Sequence, residues 1–131
     1  MLKKLFITQL VLLVAIAILH GLAEHYSIYW THKWTDIPMH FLGGVWVALA
    51  ATWAYHFLKE RYNFAPISSH ILFVALTVLI VALGWELLEV FIWNYAGTEI
   101  YLAHNYIPDT ILDLTMDALG AIAVLYTARI K

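Results

Sequence analysis

Residues 67–95 read ISSHILFVALTVLIVALGWELLEVFIWNY. The run is apolar for most of its length and exceeds the roughly 20 helical residues that cross a hydrocarbon core of about 30 Å. A membrane strand would alternate polar and apolar residues over about ten positions, which this stretch does not do. It therefore predicts a transmembrane helix, long enough to tilt, bend or project beyond the bilayer. Near its C-terminal end Glu86 and Glu89 lie three apart and so share a helix face, with Ala82 below and Trp93 above.

Three further stretches have the same character, at about 5–23, 37–58 and 108–128. Only 12% of the 131 residues are charged and 63% are hydrophobic. A soluble bundle would need far more charge on its outer helix faces. The connectors are short, with no low-complexity linker and no internal repeat. The expected architecture is all-α: an integral membrane four-helix bundle forming a single transmembrane domain over residues 1–131. Cysteine is absent, which removes disulfides and thiolate metal ligands.

Basic residues near helix ends favour the cytoplasmic side. Lys3 and Lys4 precede the first span, Lys59 and Arg61 lie between the second and third, and Arg129 and Lys131 follow the fourth; Lys33 alone falls on the opposite side. Both termini are thus expected to be cytoplasmic, in a multi-pass protein of the cytoplasmic (inner) membrane. Tyr26, Tyr29, Trp30 and Trp34 in one outer connector, and Trp93, Tyr95, Tyr101 and Tyr106 near the other, suit the headgroup region. Lys3-Lys4 and the small residues at Gly21-Leu22-Ala23 would fit a cleaved signal peptide, but the length of the apolar stretch favours a retained span.

In this topology only Glu60 among the nine acidic residues belongs to the cytoplasmic side. Asp109, Asp113 and Asp117 recur at i, i+4, i+8 and form one stripe, continued by the small residues Gly120 and Ala121. At about 1.5 Å per residue, Asp113 and Asp117 lie several ångströms below the surface. A carboxylate near a helix centre costs about 2.5–3.5 kcal/mol, so such groups face a bundle interior or a wet cavity. The second segment enters through Asp36-Ile37-Pro38, read as a cap and first turn, and presents His40 one turn later, followed by Gly43, Gly44 and Ala48. The first ends with His20 and Glu24 at i, i+4. All four helices bring ionisable groups to one level.

No Lys or Arg occurs between Arg61 and Arg129 to pair with these acids, so they must be protonated, hydrated or bound to cations. Carboxylates with imidazole suit a divalent metal such as Zn, Mn, Mg or non-haem Fe. The candidate ligands are His40, Glu86, Glu89, Asp113, Asp117 and His20, with Glu86 or Glu89 as a catalytic base where it is not a ligand. Asp36 and Asp109 read as helix-start residues that complement the dipole. Glu24, His25, His32, Glu99 and His104 read as connector residues, and His56 and His70 as bystanders near the cytoplasmic side.

The pattern Asp36-x-x-x-His40-Phe41-x-Gly43-Gly44, Trp85-Glu86-x-x-Glu89 and Asp109-x-x-x-Asp113-x-x-x-Asp117-x-x-Gly120 resembles the small bacterial inner-membrane proteins called YjdF-like, and more distantly the VanZ-like proteins. The resemblance spans roughly residues 36–121. It implies a polar cluster of His40, Glu86, Glu89, Asp113 and Asp117 in a protein of the cell envelope, without fixing a reaction. Three functions stay open at this point. One is a metal-dependent enzyme or binder of membrane-lipid headgroups. Another is a proton- or cation-coupled transporter, for which four short helices call for a homo-oligomer. The third is a structural assembly protein whose acids share protons. A net charge of −2 without a basic patch argues against a nucleic-acid partner.

Overall fold

The structure, a computed structural model, describes residues 1–64, 67, 69–95 and 106–129. Among these residues five α-helices follow in order: α1 Leu2–His25, α2 Ile28–Thr31, α3 Asp36–Tyr62, α4 His70–Tyr95 and α5 Tyr106–Arg129, with a 3₁₀ turn at Lys33–Thr35 before α3. Four of them, all but the short α2, are long and apolar enough to cross a membrane. The expected spans are therefore present, each longer than its apolar centre except the third. That one begins at His70 and not at residue 67, because the Ser69 hydroxyl accepts the Leu72 N–H at 3.3 Å and caps the first turn.

Helix α3 is the hub. It packs against α1, α4 and most extensively α5, while α4 also meets α5. The shared core is Val47, Ala48 and Ala51 of α3, Val74 and Val78 of α4, and Ala121 and Val124 of α5. Small and β-branched side chains let the backbones approach, as membrane bundles require where lipid offers no hydrophobic drive for association. Outward faces carry Val11, Ile18, Ile80, Leu87, Ile111 and Ile122, all well exposed and apolar, as a hydrocarbon solvent demands. Helix α1 is peripheral: only Gln9 and Ala23 of it are buried.

The α3–α5 crossing positions everything that follows. A Cβ at Gly44 would overlap the carbonyl oxygen and Cα of Asp117, and one at Gly120 would overlap the Phe41 carbonyl oxygen and the Val45 amide nitrogen. The two backbones touch there, and His40, one turn before Gly44, is brought against the acidic stripe of α5. At the other end of α3, Asn63 adopts the left-handed conformation (φ 50°) and the Phe64 N–H returns to the Leu58 carbonyl, closing the helix before the chain turns into α4. Between α1 and α3, Ser27 is also left-handed (φ 52°), which folds α2 back over the bundle end.

Candidate functional site

His40 is 6% exposed and stands at the centre of the acidic end of the bundle. Its Nδ1 lies 3.2 Å from Asp117 Oδ2, and its Nε2 lies 3.7 Å from Asp36 Oδ1 and 3.9 Å from Asp113 Oδ1. An ionised carboxylate can only accept, so the Nδ1–Asp117 hydrogen bond calls for a proton on Nδ1, while Nε2 faces Asp36 and Asp113. Carboxylate partners of this kind fix the tautomer and rotation of metal-binding histidines.

Two sets of side chains bring one ligand atom each to within 4.8 Å of one another: Asp36, His40 and Asp113, and His40, Glu86 and Glu89. They come from three helices and share the imidazole. Asp113 is 2% exposed, and its Oδ1 lies 3.9 Å from His40 Nε2. Glu86 Oε2 accepts the Thr110 hydroxyl at 2.8 Å across the α4–α5 seam. Glu89 Oε1 accepts the Trp85 indole N–H at 2.8 Å, one turn back along α4. Both glutamates are thereby held on the inward side.

Of the expected ligands, His40, Glu86, Glu89 and Asp113 converge. Asp117 sits behind the ring, on the Nδ1 side, outside both donor sets. His20 is exposed and hydrogen-bonds through Nδ1 to the Tyr29 hydroxyl at 2.9 Å, likewise outside both sets. Asp36, read from sequence as a cap, is instead the first residue of α3 after Thr35, and its carboxylate turns along the helix to His40. The signal for this was available: Asp36 and His40 are i, i+4 and share a face. Trp85 belongs to the Trp85-Glu86-x-x-Glu89 pattern and stands at i, i+4 to Glu89, whereas Thr110 carries no sequence signal of its own. His70 meets the Thr52 hydroxyl at 3.3 Å and lies tilted against the rings of Tyr55 and His56, far along α3 from the cluster. Glu99, His104 and Tyr101 lie outside the described residues.

A cavity of about 600 Å³ runs from this cluster between α1, α3 and α4. His20, Glu24, Tyr29, Asp36, His40 and Glu89 line its polar end; Leu13, Ile16, Trp46, Val47, Val78 and Val81 line its apolar end. Tyr29, on α2 and beyond the spans, has its hydroxyl pKa pushed up to about 12, first by burial and then by the carboxylates of Asp36, Glu24 and Glu89. It keeps its proton at neutral pH. A raised pKa means the folded chain holds that proton longer than the unfolded one, so this contribution is lost only as pH climbs from the ordinary value near ~10 towards 12. Ultraviolet titration of tyrosinate, assigned by difference against Tyr29→Phe, is expected to show this late ionisation, moved to lower pH in Glu24→Gln. An unmoved midpoint would separate Tyr29 from Glu24.

Fold and cluster together define a membrane-embedded four-helix protein with a buried His/carboxylate centre at one end of the bundle. The chain belongs to the family described as Predicted membrane protein (DUF2238), which matches over residues 1–131. No curated protein and no solved structure matches it.

Proposed function

We propose that the protein holds a divalent metal ion at the outer-leaflet end of the bundle and presents it to the polar head of a membrane lipid or related envelope component. The observation that carries this reading is the convergence of Asp36, His40 and Asp113, and of His40, Glu86 and Glu89, on one imidazole. With Nδ1 against Asp117, Nε2 is the nitrogen left for an ion, which makes the two sets alternative parts of one coordination shell. An imidazole with oxygen ligands suits Zn, Mn, Mg or Fe. The ion would polarise a carbonyl or phosphoryl oxygen or activate water, with Glu86 or Glu89 serving as base when it is not a ligand.

The outer-leaflet assignment rests on the basic residues at the opposite end, Lys3, Lys4, Lys59 and Arg61. An envelope role agrees with the resemblance to YjdF-like and VanZ-like proteins. Passage of ions through the bundle is disfavoured by the apolar plug of Val47, Ala48, Val74, Val78, Ala121 and Val124 that lies below the cluster.

Mass-spectrometric metal content of protein purified without chelators tests the reading. The native chain is expected to carry about one divalent ion, lost in the double substitution Glu86→Gln, Asp113→Asn. No metal in either, even after reconstitution with Zn, Mn, Mg and Fe, would return the cluster to proton sharing between acids.

A further inference from the structure

The cavity does not stop at the cluster. Its walls comprise Leu13 to Glu24 on α1, Asp36 to Val47 on α3 and Val78 to Glu89 on α4. Each stretch advances eleven residues, which at 1.5 Å per residue is about 16 Å of helix, so the three walls run side by side from the bundle end towards the bilayer centre. The ionisable groups occupy the outer part, and the remainder is apolar.

Helices α1 and α4 face each other across this space, and each packs on α3. Leu13, Val81 and Trp85 line the cavity and are still 38%, 44% and 44% exposed. Part of the wall on α1 and α4 is thus accessible, which fits an opening between these helices towards the lipid. A pocket with one polar end, one apolar end and an open flank on the membrane has the shape of a site for one chain of an amphiphile.

The charge at the polar end selects the head. Glu24, Asp36, Glu86, Glu89, Asp109 and Asp117 line the cavity, Asp113 joins them at His40, and among the described residues no Lys or Arg lines it. One divalent ion would offset only part of this charge, and Glu24 and Asp109 belong to neither donor set. Among the described lining residues a phosphate head would meet mostly carboxylates, whereas an ammonium would be attracted by them and by the aromatic rings of Tyr29, Trp30 and Trp85 in the wall. We infer that the α1–α4 slot binds an amphiphile with a cationic amine head, its chain lying along Leu13–Ala17 and Val78–Val81 and its head beside Glu24, Asp109 and the His40 cluster.

The inference rests on reading the cluster as a lipid-facing site and stands apart from its metal content. A dodecylamine bearing a diazirine in its chain, photolysed with the full-length protein in phosphatidylcholine nanodiscs, supplies the test. Labelling is expected on the peptides containing Leu13–Ala17 and Val78–Val81, competed by dodecylamine and not by equimolar dodecyl phosphate. Ala17→Trp and Val81→Trp, which fill the slot from exposed positions, should each weaken it at least about tenfold. Glu24→Gln with Asp109→Asn should narrow the preference for amine over phosphate.

Equal competition by dodecyl phosphate, or labelling unchanged in both tryptophan variants, would overturn the proposal. Metal content measured on the same samples separates the two readings. Selective labelling of metal-free native protein keeps the slot and removes the metal. Stoichiometric metal without selective labelling does the reverse.

Discussion

Metal-dependent thermal stabilisation is expected to vanish in His40→Ala and to need about 10–100-fold more metal in Asp117→Asn. The two residues are in contact and their roles differ. His40 contributes the only nitrogen and is common to both donor sets, so its loss breaks both. Asp117 holds the ring from the far side, at 3.2 Å from Nδ1. Its amide replacement keeps the shape but gives up the charge that makes Nε2 a strong donor. That weakening corresponds to about 1.4–2.8 kcal/mol of binding free energy. For the native chain, metal at a hundred times its dissociation constant should stabilise the fold by about 2.7 kcal/mol, read as a rise in melting temperature in detergent. A rise that persists in His40→Ala would remove His40 as a ligand, and complete loss in Asp117→Asn would make Asp117 a ligand itself. Without metal, removing His40 takes from the buried Asp113 and Asp117 the imidazole they face among the described residues. Breaking such a pairing typically costs about 3–5 kcal/mol when the charge remains, unless protonation relieves it.

The four spans were legible because a bilayer leaves few options: continuous apolar runs of sufficient length have to be helices with their own hydrogen bonds satisfied. The level of the site was legible for a related reason. Charged groups are tolerated within a span only where they face one another, and Glu86, Glu89, His40, Asp113 and Asp117 lie at similar depth on helices that alternate in direction. Rotation was less accessible. Which side of His40 each aspartate meets depends on the angle and closeness of the α3–α5 crossing, set by Gly44 and Gly120, so the division between Asp113 and Asp117 could not be read from their shared stripe. Asp36 stands at the helix start as expected, but the 3₁₀ turn at Lys33–Thr35 begins α3 a residue earlier than a capping aspartate would, so Asp36 falls in the first turn and Thr35 takes the cap position. The placing of His20 depends on Ser27, a residue that seldom takes positive φ and gives no sequence signal when it does. That turn carries Tyr29 back onto His20 and makes His20 part of the cavity mouth.

Gly44→Ala and Gly120→Ala are expected to produce the largest losses of stability among single-methyl insertions in this chain. Overpacking a filled interior typically costs about 1–3 kcal/mol and sometimes more. Here the added carbon would meet backbone and not the end of a flexible side chain: the Asp117 carbonyl and Cα at one position, the Phe41 carbonyl and Val45 nitrogen at the other. Relief therefore requires α3 and α5 to separate. Gly84→Ala is the control within the same membrane-spanning region, since nothing lies within 4 Å of its added Cβ. It should be neutral or gain up to about 1 kcal/mol through helix propensity. Because α3 carries Asp36 and His40 while α5 carries Asp113 and Asp117, separation also pulls the donor set apart. The two glycine variants should thus lose metal affinity along with stability, although neither position offers a ligand. Unfolding in detergent, followed by helical circular dichroism with and without added metal, measures both effects. If Gly44→Ala melts with the native chain and loads metal equally well, the tight crossing is not what holds His40 against Asp117; if stability falls while metal binding persists, the cluster is held by α4 and the remaining contacts more firmly than by the crossing itself.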